Sequence, residues 1–122
     1  MNGTTWQVQS VIRVVDGDTV RLVRSRTTRL DALELTARDA HPDGASVRLA
    51  WVDTPERGQP GYTEARTDLT AWIEQAPGPL TVVCYEGGAG WDRILGDVLD
   101  ADGASASEWL MRDRGWEPYL PA

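Results

Sequence analysis

The stretch 47–56, Val-Arg-Leu-Ala-Trp-Val-Asp-Thr-Pro-Glu, constrains this chain more than any other. Six mostly apolar, β-prone residues run toward a proline that cannot donate to a ladder. A buried strand must therefore stop there and leave Asp53 and Glu56 in a loop. Loops fixed to a rigid scaffold are where binding and chemistry collect. Arg48 belongs to the strand itself, and an arginine among apolar residues needs a partner or a substrate anion to offset its desolvation.

Ahead of that stretch, residues 6–15 alternate, with Trp6, Val8, Ser10, Ile12 and Val14 on one face, and predict a first strand. Asp16-Gly17-Asp18-Thr19 is a turn signal and residues 20–24 resume as a second strand, which makes a hairpin. Residues 25–46 read as a long irregular insertion with a turn at His41-Pro42-Asp43-Gly44. The third strand is 47–52. After Gly58-Gln59-Pro60-Gly61 the period changes, and Ala65, Leu69, Trp72, Ile73 and Ala76 recur at helical spacing until Pro77-Gly78-Pro79. Residues 80–85 and 93–99 predict two more strands around a glycine-rich loop. Ser105-Ala106-Ser107-Glu108 is a capping box that opens a second helix, Gly115 is its stop, and 116–122 reads as a non-helical, irregular tail.

Three strands, a helix, two strands and a closing helix is the order of a five-stranded Greek-key barrel of the OB type, mainly β with two helices. At 122 residues a single domain over 1–122 is expected, large enough to bury a core without staples. Cys84 is the only cysteine, so no intramolecular disulfide and no cysteine-based zinc site is expected. The chain as given carries no leader and no membrane-length apolar run, which favours a cytoplasmic protein without a membrane partner.

The net charge of −7 argues at first against a polyanionic partner. Its distribution softens that objection. Residues 1–30 hold five arginines against Asp16 and Asp18, whereas 31–122 hold seven against seventeen acids. Every basic residue is arginine, whose planar fork suits phosphate, and Arg21, Arg24, Arg26 and Arg29 follow one another without an intervening acid.

Asp18 and Asp53 each sit at a strand end, and neighbouring strands could bring both to one ion. Two carboxylates with a backbone carbonyl and waters make a hard oxygen site of the kind calcium accepts. An ordinary hairpin turn would explain Asp-Gly-Asp-Thr equally well. Glu56 could act as a general base on water or could cap its loop. Arg48 and Arg93 could clamp a phosphate from two sides, or serve as a buried ion pair and a solvated loop residue. Their joint occurrence favours the functional reading.

Residues 15–20, Val-Asp-Gly-Asp-Thr-Val, then Arg48 five residues ahead of Asp53-Thr54-Pro55-Glu56, then Arg93 at the head of a late strand, resemble the staphylococcal nuclease (thermonuclease) family. The likeness runs from about residue 11 to Gly115, and 62–76 and 102–115 are similar to that family's first two helices. The resemblance implies a calcium-dependent endonuclease on an OB barrel that hydrolyses DNA and RNA to 3′-phosphates. It further implies Asp18, Asp53 and the Thr54 carbonyl as calcium ligands, with Asp16 beside the ion. Arg48, Glu56 and Arg93 would be the catalytic residues. Trp91, Tyr119 and Arg21 would contact nucleic acid.

The sequence also departs from that family. Trp91-Asp92-Arg93 replaces its Tyr-Gly-Arg, so Asp92 could repel phosphate or divert Arg93. The lysines flanking its nucleotide site are absent, the insertion 25–46 is longer than its hairpin, and nothing after Gly115 resembles its third C-terminal helix. Trp109, Trp116 and Tyr119 must cover that surface or form an oligomer contact. Two rivals to the nuclease reading remain. One is a non-catalytic OB module that binds nucleic acid or protein; the other is an oligosaccharide-binding OB domain using exposed tryptophans, against which the arginine pair argues.

Overall fold

The computed structural model describes residues 5–24, 45–87 and 93–118. Five strands, β1 (Thr5–Asp16), β2 (Thr19–Arg24), β3 (Ala45–Leu49), β5 (Thr81–Gly87) and β6 (Arg93–Leu99), close a barrel in the order β1-β2-β3-β6-β5. Neighbours are antiparallel except β3 and β6, which run parallel. A short strand β4 (Val52–Asp53) leaves the barrel and pairs with β7 (Glu117–Pro118). The helices are α1 (Tyr62–Gln75), between β4 and β5, and α2 (Ala106–Arg112), after β6. This is the mainly β, two-helix barrel expected of the element order, and closure leaves the five strands no free edge.

Alternation fills the barrel. Val20, Leu22, Val47, Leu49, Val82, Ile94 and Val98 are at most 1% exposed, and Leu69 and Trp72 of α1 and Leu110 of α2 join the same core. Ala65, Leu69 and Trp72 form the buried stripe of α1 at the helical spacing seen in the sequence, with Ile73 and Ala76 half-buried at its margin.

The capping box of α2 also forms in part: Ser105 Oγ accepts from the Glu108 N–H at 3.1 Å. Gly115, at φ 77°, turns the chain after the helix, and the Trp116 N–H reaches back to the Leu110 carbonyl at 3.0 Å. Asp97 ties α2 to the barrel. Its buried carboxylate accepts from the Ser107 N–H and Oγ at 3.2 and 3.0 Å, from Ser105 Oγ, and from the Val98 N–H at 2.8 Å. Burial nevertheless holds its pKa above the usual carboxylate value.

Three expectations are corrected. The first concerns the inward face of β1. The pairing with β2 slips after Val8, Val11 and Val14, and these three residues, not an even alternation, face the barrel. Each slip is a β-bulge that spends one extra residue, which leaves Ile12 45% exposed.

The second concerns 47–52, which is not one strand. The chain turns at Ala50–Trp51, and Trp51 adopts the left-handed region at φ 74°. Arg48 Nη1 donates to the carbonyls on both sides of the turn, Leu49 and Val52, the latter at 2.8 Å. These contacts pin a bend that the β propensity of Trp and Val conceals.

The third concerns the tail. Glu117 and Pro118 are not irregular but pair with Asp53 and Val52, and Pro118 is tolerated because this ribbon is an edge. Residues 119–122, and 25–44 of the expected insertion, lie outside the described residues, while Ala45 and Ser46 belong to β3. Among the described residues no helix is long and apolar enough to cross a membrane.

Candidate active site

The turn between β1 and β2 is pressed against α1 and against the loop after β4, and this close approach assembles the site. Gly17 makes it feasible, because a Cβ there would lie 2.5 Å from Ala65 Cβ and 2.8 Å from Thr54 Oγ1. Two side chains of α1 fasten the end of β1 beside the turn. Tyr62 Oη donates to the Val15 carbonyl at 2.8 Å and Arg66 Nε to the Val14 carbonyl at 2.9 Å.

So placed, Asp18 is buried and contacted from several elements. Its Oδ2 accepts from the Thr54 N–H at 3.0 Å, its Oδ1 accepts from Thr19 Oγ1 at 3.2 Å, and its carbonyl accepts from the Leu49 N–H at 2.7 Å. Arg48 Nη2 lies 3.5 Å from Asp18 Oδ2 and 3.4 Å from Asp53 Oδ1, so one guanidinium nitrogen sits between the two carboxylates. Arg48 is largely buried while Asp53 is exposed, which makes the Arg48–Asp18 pair the better shielded of the two.

Asp16 completes the acidic side. Its Oδ1 accepts from the Asp18 N–H at 3.1 Å. Burial, together with a side-chain hydrogen bond to Asp18 and the charge of that residue, pushes its pKa up to about 6, although the Asp18 backbone N–H works the other way by favouring the carboxylate. Glu117 adds a carboxylate that sequence reading missed, since β7 sets it directly across from Asp53. Like charges at such a position are unfavourable, and only strand pairing reveals the juxtaposition.

The structure therefore brings Asp16, Asp18, Arg48, Asp53 and Thr54 together. Glu56 follows three residues after Asp53 in an exposed loop, braced by its N–H donating to Gln59 Oε1 at 2.7 Å. Arg93 stands in β6 opposite Ser46, and Leu95, two residues on, is opposite Arg48. Arg21 lies opposite Ser46 on the other side and donates to its Oγ at 2.8 Å. Trp91, Asp92 and Tyr119 lie outside the described residues.

Among the described residues no group of three or more acidic, histidine or cysteine side chains is gathered closely enough to hold a metal ion. The donors nonetheless suit a hard cation in kind. Two carboxylates already converge on one positive charge, that of Arg48, and beside them Thr54 Oγ1 is buried without a hydrogen-bond partner.

No family profile matches the chain. Two proteins named "Uncharacterized endonuclease", one from Escherichia coli and one from Escherichia coli O157:H7, are each 28% identical to it over 102 residues. The matched region covers 84% of this chain and 54% of either relative, so the chain spans about half the length of the curated relatives it matches.

Proposed function

We propose that this domain is a calcium-dependent nuclease of the staphylococcal nuclease type, which hydrolyses single-stranded DNA and RNA to 3′-phosphate products. The observation that carries the reading is the gathering of Arg48, Asp18 and Asp53 where β3 and β4 end, in a chain whose relatives bear the name endonuclease. An arginine at a loop-lined strand terminus carries the planar fork that a phosphate takes, and a cation held by the two carboxylates would free that fork for the anion.

Asp18, Asp53 and the Thr54 carbonyl would hold the ion, with Asp16 supporting Asp18 from behind. Bound there, calcium would supply Lewis-acid stabilisation of phosphoryl charge. The protein's own groups do the rest. Glu56 orients the attacking water and takes its proton, while Arg48 and Arg93 hold the scissile phosphate and offset the charge that grows on its oxygens.

A second reading has one observation in its favour. Arg48 is engaged by two carboxylates and two backbone carbonyls, the pattern of a structural clamp in a non-catalytic OB module.

One experiment separates the two. Labelled single-stranded DNA is incubated with the protein in calcium and in chelator, and the product ends are mapped. The nuclease reading expects cleavage only with calcium, 3′-phosphate ends, and a fall of about 10²–10⁴-fold for Glu56→Gln. Undiminished cleavage by Glu56→Gln would sink the assigned mechanism, and binding without cleavage would favour the clamp.

A further inference from the structure

We propose that Arg13, Arg21 and Arg48 form a track across the outer face of the barrel, along which the phosphates of a single nucleic acid strand are led to the site. The inference rests on the nuclease reading for what happens at the end of the track, but its own basis is strand register. β1 and β2 set Arg13 directly opposite Arg21, and β2 and β3 set Arg21 opposite Ser46 and Thr19 opposite Arg48. Arg21 and Arg48 are therefore diagonal neighbours.

All three lie on one face. Val20 and Leu22 flank Arg21 and Val47 and Leu49 flank Arg48, each fully buried in the barrel, so the arginines between them point outward. Arg13 is exposed across from Arg21. Directly opposed residues stand about 4.5–5.5 Å apart and diagonal ones about 7–8 Å, within reach of long side chains. Register thus sets Arg13, Arg21 and Arg48 in succession across three neighbouring strands, ending at Arg48, whose guanidinium lies between Asp18 and Asp53. Arg21 Nη1 donates to Ser46 Oγ at 2.8 Å, which draws that side chain toward β3, the strand that carries Arg48.

Opposed across one rung of the ladder, Arg13 and Arg21 present two planar forks of the kind that take phosphate oxygens. The line is one residue wide, which suits the phosphates of one strand, while the acidic remainder of the molecule would repel a second. Bases would face away from the barrel, so the track reads backbone and not sequence.

Salt dependence tests the track apart from catalysis. Binding of a fluorescein-labelled oligodeoxythymidylate is followed by anisotropy in chelator, over a series of salt concentrations, for the parent protein, Arg13→Gln, Arg13→Gln/Arg21→Gln and the control Arg112→Gln. Each lost phosphate contact on a single strand flattens the plot of log affinity against log salt by about 0.7, so the double variant should flatten it by about 1.4. Arg112→Gln, on α2, should leave the slope as it is. The kcat/KM for the long strand relative to that for a dinucleotide should fall in the same variants.

An unchanged slope in both variants, equal flattening in the control, or no binding by the parent protein would overturn the track. A duplex that binds more tightly than the single strand through these same arginines would overturn the assignment of the strand. Should the double variant fail to fold, the exposed Arg13→Gln change alone decides the matter. Cleavage with an unchanged slope refutes the track and leaves the nuclease standing; flattened slopes without cleavage do the reverse.

Discussion

Gly17→Ala is the substitution on which the assembly of the site turns. Gly17 does not occupy the left-handed region, so alanine could adopt its backbone conformation and, by restricting the unfolded chain, would stabilise by about 0.4–1 kcal/mol if space allowed. Space does not allow it. The new methyl would meet Ala65 Cβ at 2.5 Å, Thr54 Oγ1 at 2.8 Å and the Ala65 backbone carbon at 3.0 Å, against an optimal carbon separation of about 3.5–4.0 Å. The turn must lift off α1, and Asp18 moves with it. Overpacking costs about 1–3 kcal/mol, and stretching the hydrogen bond from the Thr54 N–H to the Asp18 carboxylate adds about 1.5–3 kcal/mol.

The sum is about 2.5–6 kcal/mol, a large share of the roughly 5–15 kcal/mol that holds a domain folded. With an unfolding entropy of about 2.1 cal/mol/K per residue, a chain of 122 residues should lose roughly 10–23 °C in Tm, read by circular dichroism. Ala65→Gly removes the shortest contact at a helix cost of about 1 kcal/mol, so the double variant should be more stable than the two single effects combined. A Tm shift below about 2 °C, or strict additivity in the double variant, would refute the steric argument.

Three further outcomes can be checked. Asp97→Ala leaves four donors around one buried point without an acceptor and should cost about 3 kcal/mol in urea unfolding, whereas an exposed-surface effect of a few tenths would contradict the tie between α2 and β6. Asp16 has a folded-state pKa of about 6, raised from 3.8, so its protonated form favours folding. That stability is fully present below about pH 3.8 and is lost as pH rises through 6. Because the group is only half-buried, the effect should be on the order of 1 kcal/mol, and Asp16→Asn should remove it; coincident pH profiles for parent and variant in chelator would count against it. At Trp51, glycine should be better tolerated than valine, the reverse of their order in a strand, because φ is 74° there. Valine proving the more stable would show that the bend had been lost.

The barrel was legible because its signals are local. Apolar alternation marks β2 and β3, the stripe through Ala65, Leu69 and Trp72 fixes the buried face of α1, and Ser105 and Gly115 bracket α2 with side-chain and backbone chemistry written in a few adjacent residues. That Asp18 and Asp53 would lie close together could be anticipated for the same reason, since each stands where a strand ends next to a turn former, but that Arg48 lies between them could not. Arg13 and Glu117 could not. Nothing near either one in the chain says which residue lies across the ladder, and only register sets Arg13 opposite Arg21 and Glu117 opposite Asp53.

What the sequence determined by itself was therefore the kind and order of elements, through periodicity, caps and breakers that act over a turn or two of chain. The tertiary structure decided phase and juxtaposition. Bulges after Val8, Val11 and Val14 turned Ile12 outward, and the Arg48 guanidinium bent residues 50–51 out of a strand. The absent Cβ at Gly17 let Asp18 meet Thr54. Each depends on contacts between segments distant in sequence, where closing the barrel outweighs the preference of any one residue.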